Sequence, residues 1–217
     1  MEIKYFGHSS FLIKSKEAKL VTDPFNEKMV GLPFPKIEAD IVTVSHNHAD
    51  HSQVDNISGN PLVIDWPGQF EKKGIRVFGF QSFHDKQKGV ERGENNIYKI
   101  EVEGISIVHC GDLGVMPDDS TLDEIGDVGV LMVPVGGRFT LDANEAIELI
   151  KELEPSIVIP MHYNTSKLNQ DNFKELVGVE EFLKKIGQES VQSIDKLILK
   201  KEDISETMRV VVMEISN

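Results

Sequence analysis

The chain predicts an α/β fold in which sheets lie in the middle and helices outside. Two observations carry that expectation. The first half is a succession of short apolar runs separated by turn residues, the pattern of strands, and the second half alternates strand-like runs with segments of helical spacing. No low-complexity linker and no repeat of fixed period interrupts the 217 residues, so one domain over 1–217 is expected.

Taken in order, residues 3–6, 10–14 and 19–22 are brief apolar runs around Gly7-His8-Ser9 and a Ser15-Lys16-Glu17 turn. Residues 41–44, 62–64, 75–83 and 97–102 follow, and Gly104 turns the chain into 105–108. Gly59-Asn60-Pro61, Pro67-Gly68 and Lys72-Lys73-Gly74 punctuate these runs, since such residues supply the backbone angles of turns. The run "VGVLMV" at 128–133 is apolar throughout, as a strand buried on both faces requires. Residues 143–154 place Ala146, Ile147, Ile150 and Leu153 at helical spacing; Thr140 and Asp142 can cap the start and Pro155 stops the helix. Residues 157–159 form another buried strand. Phe173, Leu176, Val177, Phe182 and Leu183 predict a second helix over 171–186, and 197–199 and 210–213 close the chain with strand character.

Lys+Arg of 23 against Asp+Glu of 36 gives a formal charge of −13. Such a chain repels nucleic acid and anionic membrane, so neither is an expected partner. The lone Cys110 cannot form an intramolecular disulfide and is expected to be buried and inert. No run approaches the ~18 apolar residues of a membrane span, and the first residues lack the basic head and apolar run of a signal peptide. A cytoplasmic location is therefore expected. Oligomeric state is open, with the apolar "MVGLPFP" at 29–35 a candidate interface or lid, and Trp66 is expected to pack under a turn.

The seven histidines are not scattered. His46, His84, His109 and His162 each end an apolar strand-like run, and "VSHNHADH" adds His48, Asp50 and His51 within a few residues of His46. Residues carried at the ends of strands of one sheet converge at its edge, where a pre-organised site needs them. One histidine after a strand usually just satisfies a backbone group. The cluster points instead to metal, because imidazole and carboxylate together suit Zn²⁺ and Fe. An extended chain would aim His46 and His48 at one ion, and a tight turn would leave Asp50 and His51 for a second.

"HNHADH" fits the H-x-H-x-D-H pattern, and through it the chain resembles the metallo-β-lactamase superfamily. Asp23 in "LVTDP", His84 in "QSFHD", Asp112 in "HCGDLG" and His162 in "IPMHYNT" follow in the order of that superfamily's other motifs. "YFGHSSFLI" and "VPVGGRFTLDANEA" look most like a group of small metal-dependent hydrolases related to the ascorbate-6-phosphate lactonase branch. The resemblance runs from Ile3 to about Thr165. It implies a four-layer αββα sandwich and a two-metal site: His46, His48 and His84 on one ion, Asp50, His51 and His162 on the other, Asp112 bridging them. Two divalent ions are implied, zinc foremost, with Fe and Mn as alternatives.

The implied activity is hydrolysis of a small phosphoester, lactone or other ester by metal-activated water. The net positive charge of such a centre would admit an anionic substrate. Asp50 is implied to orient the water or shuttle its proton, with Asp112 as bridging carboxylate. His109 would hold a ligand carboxylate or donate to the leaving group; a histidine satisfied by backbone is the alternative. His8 and Arg138 are expected in the substrate pocket, and Asp23 as support for the metal loop. Two other functions are carried: a tRNase Z-like nuclease, disfavoured by the charge and the lack of a basic patch, and a metal- or ligand-binding protein without turnover. A redox di-iron role would need a carboxylate at His48 and a flavin domain, and the chain has neither.

Overall fold

A computed structural model describes residues 1–216. The first half contains β1 (Glu2–Gly7), β2 (Ser10–Lys14), β3 (Lys19–Thr22), α1 (Glu27–Val30), β4 (Ile37–Glu38), β5 (Ile41–Thr43), β6 (Ile57–Ser58), β7 (Leu62–Ile64), β8 (Gly68–Lys72), β9 (Ile75–Phe83) and β10 (Glu94–Val102). The second contains β11 (Ile105–His109), α2 (Asp119–Ile125), β12 (Val130–Pro134), α3 (Ala143–Leu153), β13 (Ile157–Met161), α4 (Gln170–Phe173), α5 (Val179–Ile186), β14 (Leu197–Ile198) and β15 (Arg209–Val210).

Two sheets face each other. One has the order β14-β1-β2-β3-β5-β7, the other β15-β13-β12-β11-β10-β9-β8, and β4 pairs separately with β6. Side chains of the first sheet alternate as strand geometry demands. Ile3, Tyr5, Phe11, Ile13, Leu20 and Ile41 point into the core shared with the second sheet. Phe6, Leu12, Val21 and Val42 point the other way, onto Val30 at the end of α1 and Phe173 at the end of α4. On the far face of the second sheet, α3 packs against β12 and α5 against α3. The expected helix–sheet–sheet–helix layering is therefore the observed one. Tyr98 on β10 crosses between the sheets: its fully buried hydroxyl lies within hydrogen-bond reach of the carbonyls of Val44 (2.9 Å) and Ile64 (3.1 Å). That contact fixes the end of β5, from which the histidine-rich loop departs.

Local chemistry explains where elements differ from expectation. The helix predicted over 171–186 is two, α4 and α5, because Gly178 adopts an extended backbone and breaks it. The intervening Val177 uses its N–H on Gly136 and its carbonyl on Asn164, so neither group is free for a helix. Asp142 caps α3 in a capping box with Glu145; Thr140 takes no part in it. Strand β8 forms where only a turn was read. Trp66 is 55% exposed and meets Phe70 edge-on at 5.8 Å, rather than packing beneath a turn. In the "MVGLPFP" segment Val30, Leu32 and Phe34 are buried in the outer core, and Met29 is half-buried. Among the described residues no helix is long and apolar enough to cross a membrane.

Candidate metal centre

The loops at one end of both sheets meet around Asp112. Its Oδ2 lies 3.1 Å from His162 Nε2, 3.2 Å from His51 Nε2, 3.3 Å from His84 Nε2 and 4.0 Å from His46 Nε2. The first sheet supplies His46 and His51 from the loop after β5; the second supplies His84, Asp112 and His162 from the loops after β9, β11 and β13. His48, half-buried, stands beside His46 and His84, with ring centroids 4.5 and 5.1 Å away.

Three of these imidazoles are fixed from behind. His46 Nδ1 lies 3.0 Å from Ser45 Oγ, His51 Nδ1 is 2.8 Å from Asp23 Oδ2, and His84 Nδ1 is 3.1 Å from the Phe139 carbonyl. Each partner accepts from the Nδ1–H, which leaves Nε2 as the atom each ring turns toward Asp112. Asp23, fully buried, also accepts from Ser45 N and Ser45 Oγ, both at 2.7 Å. It supports the histidine-rich loop. Ser45 Oγ donates to Asp23 and is therefore free to accept from His46.

Charge and burial are balanced tightly. Burial pushes the His46 imidazole well below its usual range, aided by neighbouring His51. Burial acts the same way on His51, but the carboxylates of Asp112 and Asp50 outweigh it and hold that ring well above the usual value. Burial opposes the charge on Asp112, yet His162 and His51 keep its carboxyl well below the ordinary range.

Do these residues fit a cation? His46 Nε2, His51 Nε2 and Asp112 Oδ1 are buried without any hydrogen-bond partner, although His51 Nε2 is in ion-pair range of Asp112. Buried polar atoms are rarely left unpaired, and three that converge are accounted for by a shared ion. Three sets of side chains bring ligand atoms within 4.8 Å of one another: His46, His48 and His84; His8, Asp50, His51 and His162; and His46, His51 and Asp112. The donor set fits.

A family model for the beta-lactamase superfamily domain matches residues 2–162. The chain belongs to the beta-lactamase superfamily. A UPF0173 metal-dependent hydrolase of Thermococcus kodakarensis is 31% identical over 217 residues, spanning 82% of this chain and 92% of that one. Among solved structures, a Thermotoga maritima protein assigned as a zinc-dependent hydrolase of the metallo-beta-lactamase superfamily is 36% identical, with a TM-score of 0.81 over 98% of this chain and 97% of that chain. An isothiocyanate hydrolase from Delia radicum gut bacteria shares the fold alone, at 11% identity and a TM-score of 0.70 over 92% and 99% of the two chains.

Within this superfamily fold the centre opens on a cavity of about 410 Å³, lined by His48, Asp50, His84, Asp112 and His162 at its floor. His8 does not line it. The ring is 1% exposed and sits behind Asp50, with Nε2 3.0 Å from Asp50 Oδ2. Burial and the nearby His162 lower its pKa to about 4, so the contact is a neutral imidazole donating to a carboxylate. The substrate-pocket expectation for His8 is corrected accordingly: it orients Asp50. Burial works against the charge of Asp50, while His51 and His8 keep it ionised far below the usual range.

His109 is fully buried, its Nε2 donating to the Ser9 carbonyl (2.8 Å) and its Nδ1 accepting from Gly111 N (3.3 Å). Both nitrogens are spent on backbone, so proton donation to a leaving group is ruled out by position. The ring instead ties the β1–β2 turn to the Asp112 loop. Arg138 does line the cavity, paired with Glu175 at 2.9 Å.

Sequence reasoning missed several contributors. Asn95 on β10 accepts from Asp112 N (2.9 Å) and donates to the Cys110 carbonyl (2.9 Å). Its neighbour Asn96 donates to the Ser45 carbonyl through both backbone (2.8 Å) and side chain (3.1 Å). Gly111, at φ +56°, lets these loops meet, since a Cβ there would come within 2.4 Å of Asn95 Oδ1 and Ser45 Cβ. Adjacent asparagines in "GENNIY", at the start of a strand, were the one available signal. Asp85 and Arg92 were also missed.

Proposed function

We propose that this metal-dependent hydrolase uses two divalent cations to cleave a small ester, either a phosphoester or a lactone or other carboxylic ester. The observation that carries the reading is Asp112, one carboxylate oxygen facing four imidazole nitrogens drawn from both sheets. Nitrogen and oxygen donors alone suit zinc, with Fe and Mn as the alternatives. His46, His48 and His84 would hold one ion, Asp50, His51 and His162 the second, and Asp112 would bridge them. When bound, the cations supply an activated water and polarise the bond to be cleaved.

The chain's own groups supply the rest. Asp50, on the cavity wall and steadied by His8, orients the water. Asp23, Ser45 and the Phe139 carbonyl keep three imidazoles in the tautomer that presents Nε2. The acidic surface of a chain at −13 supports a small substrate over RNA. One buried thiol, Cys110, fits a reducing compartment, and we assign the enzyme to the cytoplasm as a one-domain protein.

The test is initial-rate hydrolysis of a phosphodiester and of a lactone by metal-reconstituted protein, with Asp112→Asn beside it and metal content measured on both. About two equivalents are expected in the wild type, with at least one lost in the variant together with turnover of the preferred substrate. One equivalent in the wild type would overturn the two-cation reading, and full occupancy in the variant would overturn the role of Asp112.

A further inference from the structure

The loop joining β9 to β10 is not explained by the metal cluster, and it is wound around one buried carboxylate. Asp85 Oδ1 accepts from the backbone N–H of Gln87 (2.8 Å) and Gly89 (3.0 Å). Asp85 Oδ2 accepts from those of Glu91 (3.0 Å) and Arg92 (2.8 Å). Hydrogen bonds to an ionised carboxylate are the stronger kind, and four of them fix the backbone from which Arg92 departs. An otherwise hydrophilic surface loop has thereby become a rigid mount.

The exposed Arg92 side chain is aimed inward along one aromatic face. Its guanidinium carbon lies 3.4 Å from the ring centroid of Phe139, and Arg92 lines the same cavity as His48 and His84. Phe139 is held in the left-handed region at φ +60°, a costly conformation for an aromatic residue. That conformation gives its carbonyl to His84 Nδ1 and its ring to the guanidinium, so a single residue joins the metal cluster to the arginine.

Arg138 approaches the same ring, at 4.4 Å, and is paired with Glu175. Among the described residues no carboxylate lies within 4.0 Å of the Arg92 guanidinium, as each ion pair formed by an arginine involves Arg76 or Arg138. Two guanidinium groups thus share a ring with one ion-paired carboxylate, Glu175, which leaves the Arg92 guanidinium without an ion-pair partner at a wall that Asp171 also lines. In a chain of net charge −13, that charge discriminates rather than merely attracts.

We infer that Arg92 binds an oxyanion carried by the substrate, a carboxylate or phosphate group separate from the bond that is cleaved. The substrate is then an anionic ester, recognised by a planar two-donor fork on the Phe139 face. This rests on reading the cavity as a hydrolase site, and the experiment separates the two.

Metal-loaded wild type, Arg92→Ala and Arg92→Lys are titrated calorimetrically with glutarate and with inorganic phosphate. The same proteins are assayed on a 4-nitrophenyl ester bearing a free carboxylate and on its methylated, uncharged counterpart. Arg92→Ala should weaken one of the two anions roughly ten- to hundredfold, the range expected for a lost charge-assisted contact. Which anion loses affinity distinguishes carboxylate from phosphate. For the charged ester the loss should appear in KM, its advantage over the neutral ester should collapse, and lysine should restore part of it with metal content unaltered. Equal losses on both esters, or unchanged affinity for both anions, would overturn the assignment and leave Arg92 a strut for its loop. If the wild type turns over neither ester, the ester reading fails, while the calorimetry still decides the role of Arg92.

Discussion

At the floor of the cavity three of the four imidazoles facing Asp112 are gripped from behind, whereas at the rim two arginines lean on one aromatic ring in partial contact with solvent. The floor is buried: His46, His51, Asp112 and His162 are each at most 7% exposed. The rim is not: the side chains of Arg138 and Glu175 are 51% and 55% exposed. Among the described residues, four of the nine non-glycine residues with positive φ, His8, Asp23, Phe139 and His162, lie at or beside the floor, and the other five lie outside it. The fold spends conformational energy to set metal donors, and leaves substrate contacts on loops that can change without disturbing them. Substitutions at the two levels should therefore differ in what they damage.

The largest effect is expected at Asp23, the anchor of the floor. Asp23→Ala removes the acceptor of three buried hydrogen bonds and strands the His51 ring and the Ser45 backbone N–H. Losing one member of such a buried pair costs on the order of 3–5 kcal/mol. The loss of the group that orients a ligand weakens metal binding about 10- to 100-fold. Denaturant unfolding of metal-free protein and competitive metal titration would measure the two. A variant with unchanged metal affinity would mean that the histidine-rich loop holds its geometry without Asp23, and the contrast with the rim would dissolve.

The same division governs what could be read from the sequence. "HNHADH", His84, Asp112 and His162 announce themselves because imidazoles and carboxylates at strand ends are chemically conspicuous, and the structure does bring them together. The apolar runs were equally legible, down to the bounds of β2 and β3, since burial on one or both faces dictates them. Phe139 was illegible, because its contribution is a backbone carbonyl and a positive φ, which its side chain does not advertise. Asp85 was illegible for a related reason: it acts on N–H groups of its own loop, and any carboxylate in a charged stretch looks the same. His8 and His109 were visible as histidines, yet which face each ring turns depends on contacts 42 and 100 residues away in the chain. The single helix expected over 171–186 failed similarly, since Val177 is captured by Gly136 and Asn164. Local pattern carries elements and ligand types, while long-range backbone contacts decide orientation.

A middle-sized effect sharpens the comparison from the steric side. Gly136 lies where the loop after β12 passes the loop that carries His162, and a Cβ there would come within 2.1 Å of the His162 carbonyl oxygen. Backbone cannot rotate away as a flexible side chain can, so Gly136→Ala should displace His162 from Asp112. Overpacking of this kind costs about 1–3 kcal/mol. The expected signature is reduced metal occupancy together with a lowered unfolding midpoint. A stable variant with undiminished metal occupancy would show that the His162 loop has slack, contrary to a floor set by close packing.

The smallest effect belongs to the rim. Arg138 and Glu175 form an exposed pair, and such pairs contribute roughly 0–1 kcal/mol, less at high salt. Arg138→Ala should therefore leave the unfolding midpoint and the metal content nearly unchanged. Glu175 already neutralises Arg138, so KM for a charged ester should rise less than in Arg92→Ala. Arg138 also lies 4.4 Å from the ring of Phe139, the residue whose carbonyl orients His84. A stability loss above about 2 kcal/mol, beyond what an exposed pair can supply, would mean that Arg138 steadies that strained residue. Floor and rim would then be coupled through Phe139, and a change in substrate contacts would carry a cost in metal geometry.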